Sequence, residues 1–255
     1  MEIILEDDKK CAIFTSIIQN LKQLSDSVNI RLNEDNLYIQ GMDSAHISMF
    51  ELSIQKEWFT TYTVNETITI GANLIILSKI LSTRSEKQHI RLTYNSDNLD
   101  KLGVDFIGKD DDYNKFFEFP LMDLDVELLG VPDTVYDLNL TIDSKKFKQL
   151  VDQLNTFGDS VSFNTDGAKL NVETEGDMAT MKMEILKNDD IKELVIDNDV
   201  SISFNTRIIH HICGFHKIAQ NVFIGLSNNI PVEMKYILDD ESFMRVFLAP
   251  KMEES

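Results

Sequence analysis

A shift of 133 positions lays the second half of this 255-residue chain over the first. Leu24 followed by Asp26-Ser27-Val28 falls on Phe157 followed by Asp159-Ser160-Val161. Leu37 and Ile39 fall on Leu170 and Val172, and Ile75-Ile76 falls on Ile208-Ile209 in the same register. A constant offset over so long a stretch predicts two copies of one supersecondary unit, each of ordinary domain size.

The periodicity within each copy mixes two kinds of element. Ile13, Phe14, Ile17, Ile18, Leu21 and Leu24 recur at helical spacing and predict a helix from about Lys10 to Leu24. Val28, Ile30 and Leu32 alternate, Asn33 to Asn36 makes a turn, and Leu37 and Ile39 alternate again, which is a strand pair. Further strands are expected at Glu2 to Leu5, Ile47 to Leu52, Thr61 to Val64, Ile90 to Tyr94, Leu102 to Ile107 and Tyr113 to Phe119, with a second helix over Asn73 to Leu81. The second copy should carry helices at Ser144 to Phe157 and at roughly Thr206 to Gln220, the latter interrupted at Gly214. The fold class is therefore α+β and duplicated.

Between the copies lies LMDLDVELLGVPD, Leu121 to Asp133. Its apolar residues alternate loosely with Asp123, Asp125 and Glu127, so one side can lie on a surface while the other stays in water. Gly130 and Pro132 oppose a long helix, leaving an extended strap. The expected division is residues 1–119, a connecting loop of 120–136, and 137–255.

The formal charge of −19 argues at first against a polyanionic partner. Its distribution along the chain argues the other way. The segments 9–24, 72–85, 144–157 and 205–220, which contain the four expected helices, hold ten of the 24 Lys and Arg but only one of the 43 acids, Asp152. An ordinary solvated helix carries mixed signs, so four polar faces with a single acid among them point to contact with a polyanion. Their few cations among Ser, Thr, Gln and Asn suit loose tracking of phosphates rather than base reading.

Other chemistries find little support. The sequence has no P-loop, HExxH or GxSxG, and Ser44 lies too close to His46 in a strand-like word to serve as nucleophile and base, so no enzyme is expected. Cys11 and Cys213 lie far apart with no CxxC, and adjacent His210 and His211 on a helix do not converge on one ion, so neither disulfide, metal nor cofactor is expected. The absence of a long apolar run and the acidic N-terminus predict neither a membrane span nor a secretory signal, and hence an intracellular protein with no membrane partner.

Several words in the chain are specific. LMDLDVE followed by LGVP, LAPKMEE at Leu248 to Glu254, NLKQL at Asn20 to Leu24, LYIQGMDSAHIS at Leu37 to Ser48, NLIILSKIL at Asn73 to Leu81 and FGDSV at Phe157 to Val161 resemble the proliferating cell nuclear antigen family, end to end. The resemblance implies a DNA-clamp fold: a homotrimeric ring of six similar domains, sheets outside, helices lining a pore that holds duplex DNA in a sequence-independent way. It implies a processivity factor for DNA polymerase that also binds a clamp loader and other replication and repair proteins through short aliphatic-aromatic-aromatic peptides. The place of work would be the nucleus, or the site of viral DNA replication if the genome is viral. A checkpoint-clamp subunit and a non-ring viral polymerase accessory protein are the related alternatives.

Carried over by position, Lys22, Lys79 and Arg207 match pore-facing basic residues, Lys148 and Lys217 lie beside such positions, and Arg84 joins this expected DNA-facing set. The resemblance assigns a partner-peptide pocket to Met42, His46, Ile47, Met49, Leu124, Val126, Leu129, Val131, Pro231, Phe247, Ala249 and Pro250, with His46 half-buried and shaping the pocket rather than catalysing. Tyr113 to Phe119 and Met178 to Ile185 should be the edge strands that pair between neighbours, with Tyr113, Phe117, Met181 and Met183 at the trimer interface. Two departures stand out: Gln149 replaces a second cation usual in relatives, and the turn Asn164 to Gly167 lacks the lysine that relatives modify with ubiquitin-like proteins.

Overall fold

In a computed structural model the described residues are 1–95, 100–108, 113–125, 127–131, 133–167, 169–186, 188–239 and 241–251. The first half runs β1 (Glu2–Leu5), α1 (Asp8–Leu21), β2 (Ser27–Leu32), β3 (Asn36–Met42), β4 (Ser48–Gln55), β5 (Thr61–Thr63), β6 (Ile68–Asn73), α2 (Leu74–Leu81), β7 (His89–Thr93), β8 (Lys101–Ile107) and β9 (Lys115–Pro120). The second runs β10 (Leu138–Asp143), α3 (Ser144–Phe157), β11 (Ser160–Asp166), β12 (Lys169–Glu175), β13 (Thr180–Ile185), β14 (Ile191–Ile196), β15 (Ser201–Asn205), α4 (Thr206–Ile212), β16 (Asn221–Leu226), β17 (Val232–Ile237) and β18 (Phe243–Leu248). The order of elements is the same in both halves, as the sequence offset requires.

Strand pairing repeats too. One sheet of the first half has the order β5-β1-β7-β8-β9, and its counterpart is β14-β10-β16-β17-β18. The other has the order β4-β3-β2-β6, and its counterpart is β13-β12-β11-β15. By contacts the chain separates into two units, Met1–Ser44 with Glu51–Leu129 and Leu238–Phe243, and Ala45–Phe50 with Gly130–Ile237 and the C-terminal stretch from Met244.

Helices form where the sequence supplies both an apolar stripe and a cap. Asp7, Asn73, Asp143 and Asn205 each accept a hydrogen bond from the backbone N–H three residues on, at 2.8, 3.0, 2.9 and 3.2 Å. Such a cap contributes about 1 kcal/mol and fixes where each strand turns into its helix. In the first unit α1 buries Cys11, Phe14, Ile17, Ile18 and Leu21, and α2 buries Leu74, Leu77 and Leu81. In the second, α3 buries Phe147, Val151 and Leu154 while α4 buries Ile209 and Ile212. Both cysteines sit in these cores as free thiols, and burial pushes each thiol pKa up.

Several element boundaries differ from the sequence reading. Helix α1 begins at Asp8 because Asp7 caps it, so an acid does lie in its first turn, and it ends at Leu21 rather than Leu24. The fourth helix gives way after Ile212 to a 3-10 turn, Cys213–Lys217, which contains Gly214. The expected edge strands are shorter, β9 starting at Lys115 and β13 at Thr180.

Candidate functional site

The basic residues fall into two groups once their partners are known. In the first unit Lys22 occupies the C-cap of α1 and Lys79 the last turn of α2, and among the described residues no carboxylate pairs with either. A bond of 3.2 Å from Gln19 Nε2 to Ser82 Oγ ties the two helices together near these ends. Arg84 is turned elsewhere. Its Nη1 donates to the carbonyls of Ser85, Glu86 and Gln88 at 3.1, 3.0 and 2.7 Å, so it staples the loop that follows α2. Lys10 is likewise committed, to the Trp58 carbonyl at 2.7 Å.

In the second unit Arg207 and Lys217 are exposed and, among the described residues, without a carboxylate partner. Lys148 is held by Asp152 one turn along α3, at 2.6 Å, and Asp152 also lies 3.1 Å from His210 Nε2 on α4. The Lys148 charge is thus locally offset. The rings of His210 and His211 are 6.1 Å apart, with His210 turned to Asp152. Burial, then the charges of His210 and Arg207, hold His211 below the usual imidazole range.

Both strands expected to pair between neighbours lie at sheet edges. Among the described residues β9 has β8 as its one neighbour, and β13 has β12. The stretch at β9 exposes Tyr113 at 84% and Phe116 at 66%, while Phe117 turns inward against the Phe106 ring, 5.6 Å away. Phe116, which the sequence reading did not select, is therefore the outward aromatic of this strand. Met181 and Met183 on β13 are half-buried. Beside β13 runs a groove of about 470 Å³ whose lining mixes Leu150, Met183 and Ile185 with Lys146, Glu184 and Asp190. Apolar backbone edges of this kind invite pairing.

The strap is fastened to the first unit by a row of three residues. Asn29 on β2 stands directly opposite Gln40 on β3 and Gly71 on β6, so all three lie on one face. At Gly71 the Met122 N–H donates to the glycine carbonyl at 2.8 Å, and an added Cβ there would come within 2.1 Å of the Met122 carbonyl oxygen. Only glycine admits so close a crossing. Asn29 Nδ2 donates to the Leu124 carbonyl at 3.0 Å. Gln40 meets Leu129 with both ends of its amide, donating to the carbonyl at 2.9 Å and accepting from the N–H at 2.7 Å. Leu124 is half-buried, whereas Met122, Leu128 and Leu129 remain exposed by 42%, 54% and 45%. Val126 lies outside the described residues, as does Pro132. Sequence reasoning missed Asn29 and Gln40, because a polar residue at an outward strand position looks like one that faces water.

The remaining pocket candidates sit as follows. Met42 in the first unit is half-buried. In the second unit Ile47 is 39% exposed, and His46 is exposed with a left-handed backbone, φ 56°, rather than half-buried as expected. The Ile47 carbonyl accepts from the Ala249 N–H at 2.9 Å, which ties this segment to the tail. Two residues on, the Lys251 N–H donates to the Ser203 carbonyl at 2.8 Å. The tail after β18 thereby fastens to β15 as the strap after β9 fastens to β6. Met49, Val131, Phe247 and Pro250 are half-buried, and Pro231 and Ala249 are exposed.

Comparison with known proteins agrees with this duplicated architecture. Residues 4–128 match "Proliferating cell nuclear antigen, N-terminal domain" and residues 130–251 match "Proliferating cell nuclear antigen, C-terminal domain". The chain is also 27% identical over 252 residues to the proliferating cell nuclear antigen of Chaetomium thermophilum, covering 96% of each chain. A match to this family in both halves does not favour the checkpoint-clamp or non-ring alternatives. With two copies of its strand and helix order, and with both halves matched, the chain belongs to the proliferating cell nuclear antigen family, the sliding DNA clamps that act as processivity factors in replication.

Proposed function

We propose that this sliding clamp works as a homotrimeric ring that encloses duplex DNA, and that Lys22, Lys79, Arg207 and Lys217 are the cations its helices turn toward the phosphates. The observation that carries the ring is an equivalence of edges. In the second unit β18 lies between β17 and the Ser48–Phe50 part of β4. By the repeat, β9 is the counterpart of β18 and β13 is the counterpart of β4, yet β9 and β13 each end their sheet where the counterpart has a neighbour. A second copy of the chain supplies the missing neighbour for each, head to tail, and three-fold rotation closes the set.

Enclosure explains why so few cations suffice. Lys22 and Lys79 on one helix pair and Arg207 and Lys217 on the other, in a chain at −19, give weak and salt-sensitive attraction to free duplex. A closed ring escapes only by opening an interface or sliding off an end. The test is retention on circular DNA at high salt, followed by linearisation. Release on cutting supports the reading; equal retention on cut DNA with free blunt ends would replace it with direct binding.

Partner proteins dock, in this proposal, through peptides that cover the strap's exposed Leu129 and the half-buried Leu124. Family membership supports DNA and replication proteins as the partner classes; the aliphatic-aromatic-aromatic peptide form, and work at the nucleus or another site of DNA replication, are the finer parts of the proposal.

A further inference from the structure

Gln40 is 7% exposed, so neither end of its amide can turn to water for a partner. Both ends go to one residue of the strap, Leu129. This is the hydrogen-bonded pair of an antiparallel ladder, supplied by a single side chain in place of a strand. The orientation of the amide is also determined from behind. Nε2 donates to the Tyr38 hydroxyl oxygen at 3.1 Å, and the Tyr38 hydroxyl donates to Oε1 of the buried Glu51 at 2.9 Å. Because the Tyr38 proton is given to the carboxylate, its oxygen is left to accept, and the amide must present its nitrogen there. Oε1 then faces the Leu129 N–H, and one amide orientation satisfies every bond.

We infer that Gln40 is the positioning residue for partner binding: through its amide, held by Tyr38 and Glu51, it sets the height and register at which the strap presents Leu129. The inference rests on the reading of the strap as a docking segment. Leu129 is 45% exposed although its backbone is pinned at both polar atoms, so the ordering of this anchor is completed before a peptide arrives. Asn29 clips the strap five residues earlier, at Leu124, and Gly71 at Met122, so loss of Gln40 frees the Leu129 end while the other end stays fastened.

Two substitutions separate the roles of the bonds. Gln40→Met keeps the length of the side chain and removes both. Gln40→Glu keeps the acceptor, loses the donor and sets a carboxylate against the Leu129 carbonyl. The probe is a labelled synthetic peptide with an aliphatic residue followed by two adjacent phenylalanines, titrated against the full chain and read by anisotropy. Hydrogen exchange at the Leu129 amide is followed in parallel, with sedimentation as a control for assembly.

Gln40→Met should weaken the peptide about tenfold and speed exchange at Leu129, with sedimentation unchanged. Gln40→Glu should be as weak at neutral pH and should regain affinity as its new carboxyl protonates, since the acid form again offers a donor and an acceptor. Wild-type affinity in Gln40→Met, or unchanged exchange at Leu129, overturns the inference. Leu129→Ala is run alongside: if it leaves the peptide's affinity intact, the docking reading of the strap has failed, whereas a loss in Leu129→Ala without one in Gln40→Met refutes the positioning role alone.

Discussion

Asp152 closes an ion pair with Lys148 at 2.6 Å on the one helix of the four where an acid lies mid-helix on the polar face. The pair is partly exposed, so its worth in stability is small. Its effect on the local field is larger in relative terms, because it removes one of few cations from the α3 surface. Asp152→Asn should therefore tighten binding to linear duplex about two- to fivefold at low salt, an advantage that fades as salt is raised. Fluorescence anisotropy against salt concentration measures it, and equal affinities throughout would show that α3 takes no part.

Charge reversal at Lys22, Lys79, Arg207 and Lys217 together should reduce loading on DNA and stimulation of polymerase, and leave assembly and peptide binding intact. Each removed phosphate contact should also flatten the salt dependence of duplex binding by roughly one unit of log–log slope. A variant with the slope of the wild type would place the DNA elsewhere.

Assembly should depend on the edge strands β9 and β13. Met183→Asp puts a charge in the groove beside β13, and Phe116→Asp puts one on the outward face of β9. Either should cost on the order of 2–4 kcal/mol at each interface and shift sedimentation from trimer to monomer at micromolar protein. Persistence of trimer in both variants would exclude these edges as the contact.

Partner peptides should lose about 2 kcal/mol or more when Leu129→Ala and Val131→Ala are combined. Gly71→Ala should have a similar effect from a distance, since its Cβ cannot coexist with the Met122 carbonyl 2.1 Å away and the strap must lift. Calorimetric titration of both variants with one peptide makes the comparison.

The pH dependence of stability has a definite sign in the second unit. Burial, more than neighbouring charge, holds His211 and His216 below the ordinary imidazole value of 6.5. The unfolded chain then takes up protons first, so their stabilising contribution is full above that value and falls away as pH drops through it toward the folded values. Thermal melts of His211→Gln and His216→Gln should show a shallower loss between about pH 8 and pH 5.5 than the wild type. An unchanged slope would assign the acid sensitivity to other groups.

How much of this could be read from the sequence depended on which residues carry the signal. The apolar stripes of α1 and α3 and the alternation of β2 and β3 survive folding unchanged, because burial of those side chains is what forms the elements. Helix ends were less legible: Asp7 starts α1 earlier than the stripe suggests, and a cap is a single residue. The charge pattern located the basic helices, yet it could not show that Lys148 pairs with Asp152 or that Arg84 staples its own loop, since a partner is a matter of geometry rather than count. Asn29 and Gln40 were illegible for a related reason. Their partners lie far along the chain, on a segment whose path only the fold reveals.

The three residues that fasten the strap address its main chain alone: an amide N–H at Met122, a carbonyl at Leu124, and both groups at Leu129. Every residue other than proline can supply those groups, so the attachment is blind to the strap's own side chains. The outward residues can accordingly be exchanged without loosening the segment that carries them. Recognition of partners is thereby uncoupled from anchorage, and a graft of another clamp's strap onto this chain, kept to the same length, would inherit the donor's preferences while remaining seated on Gly71, Asn29 and Gln40.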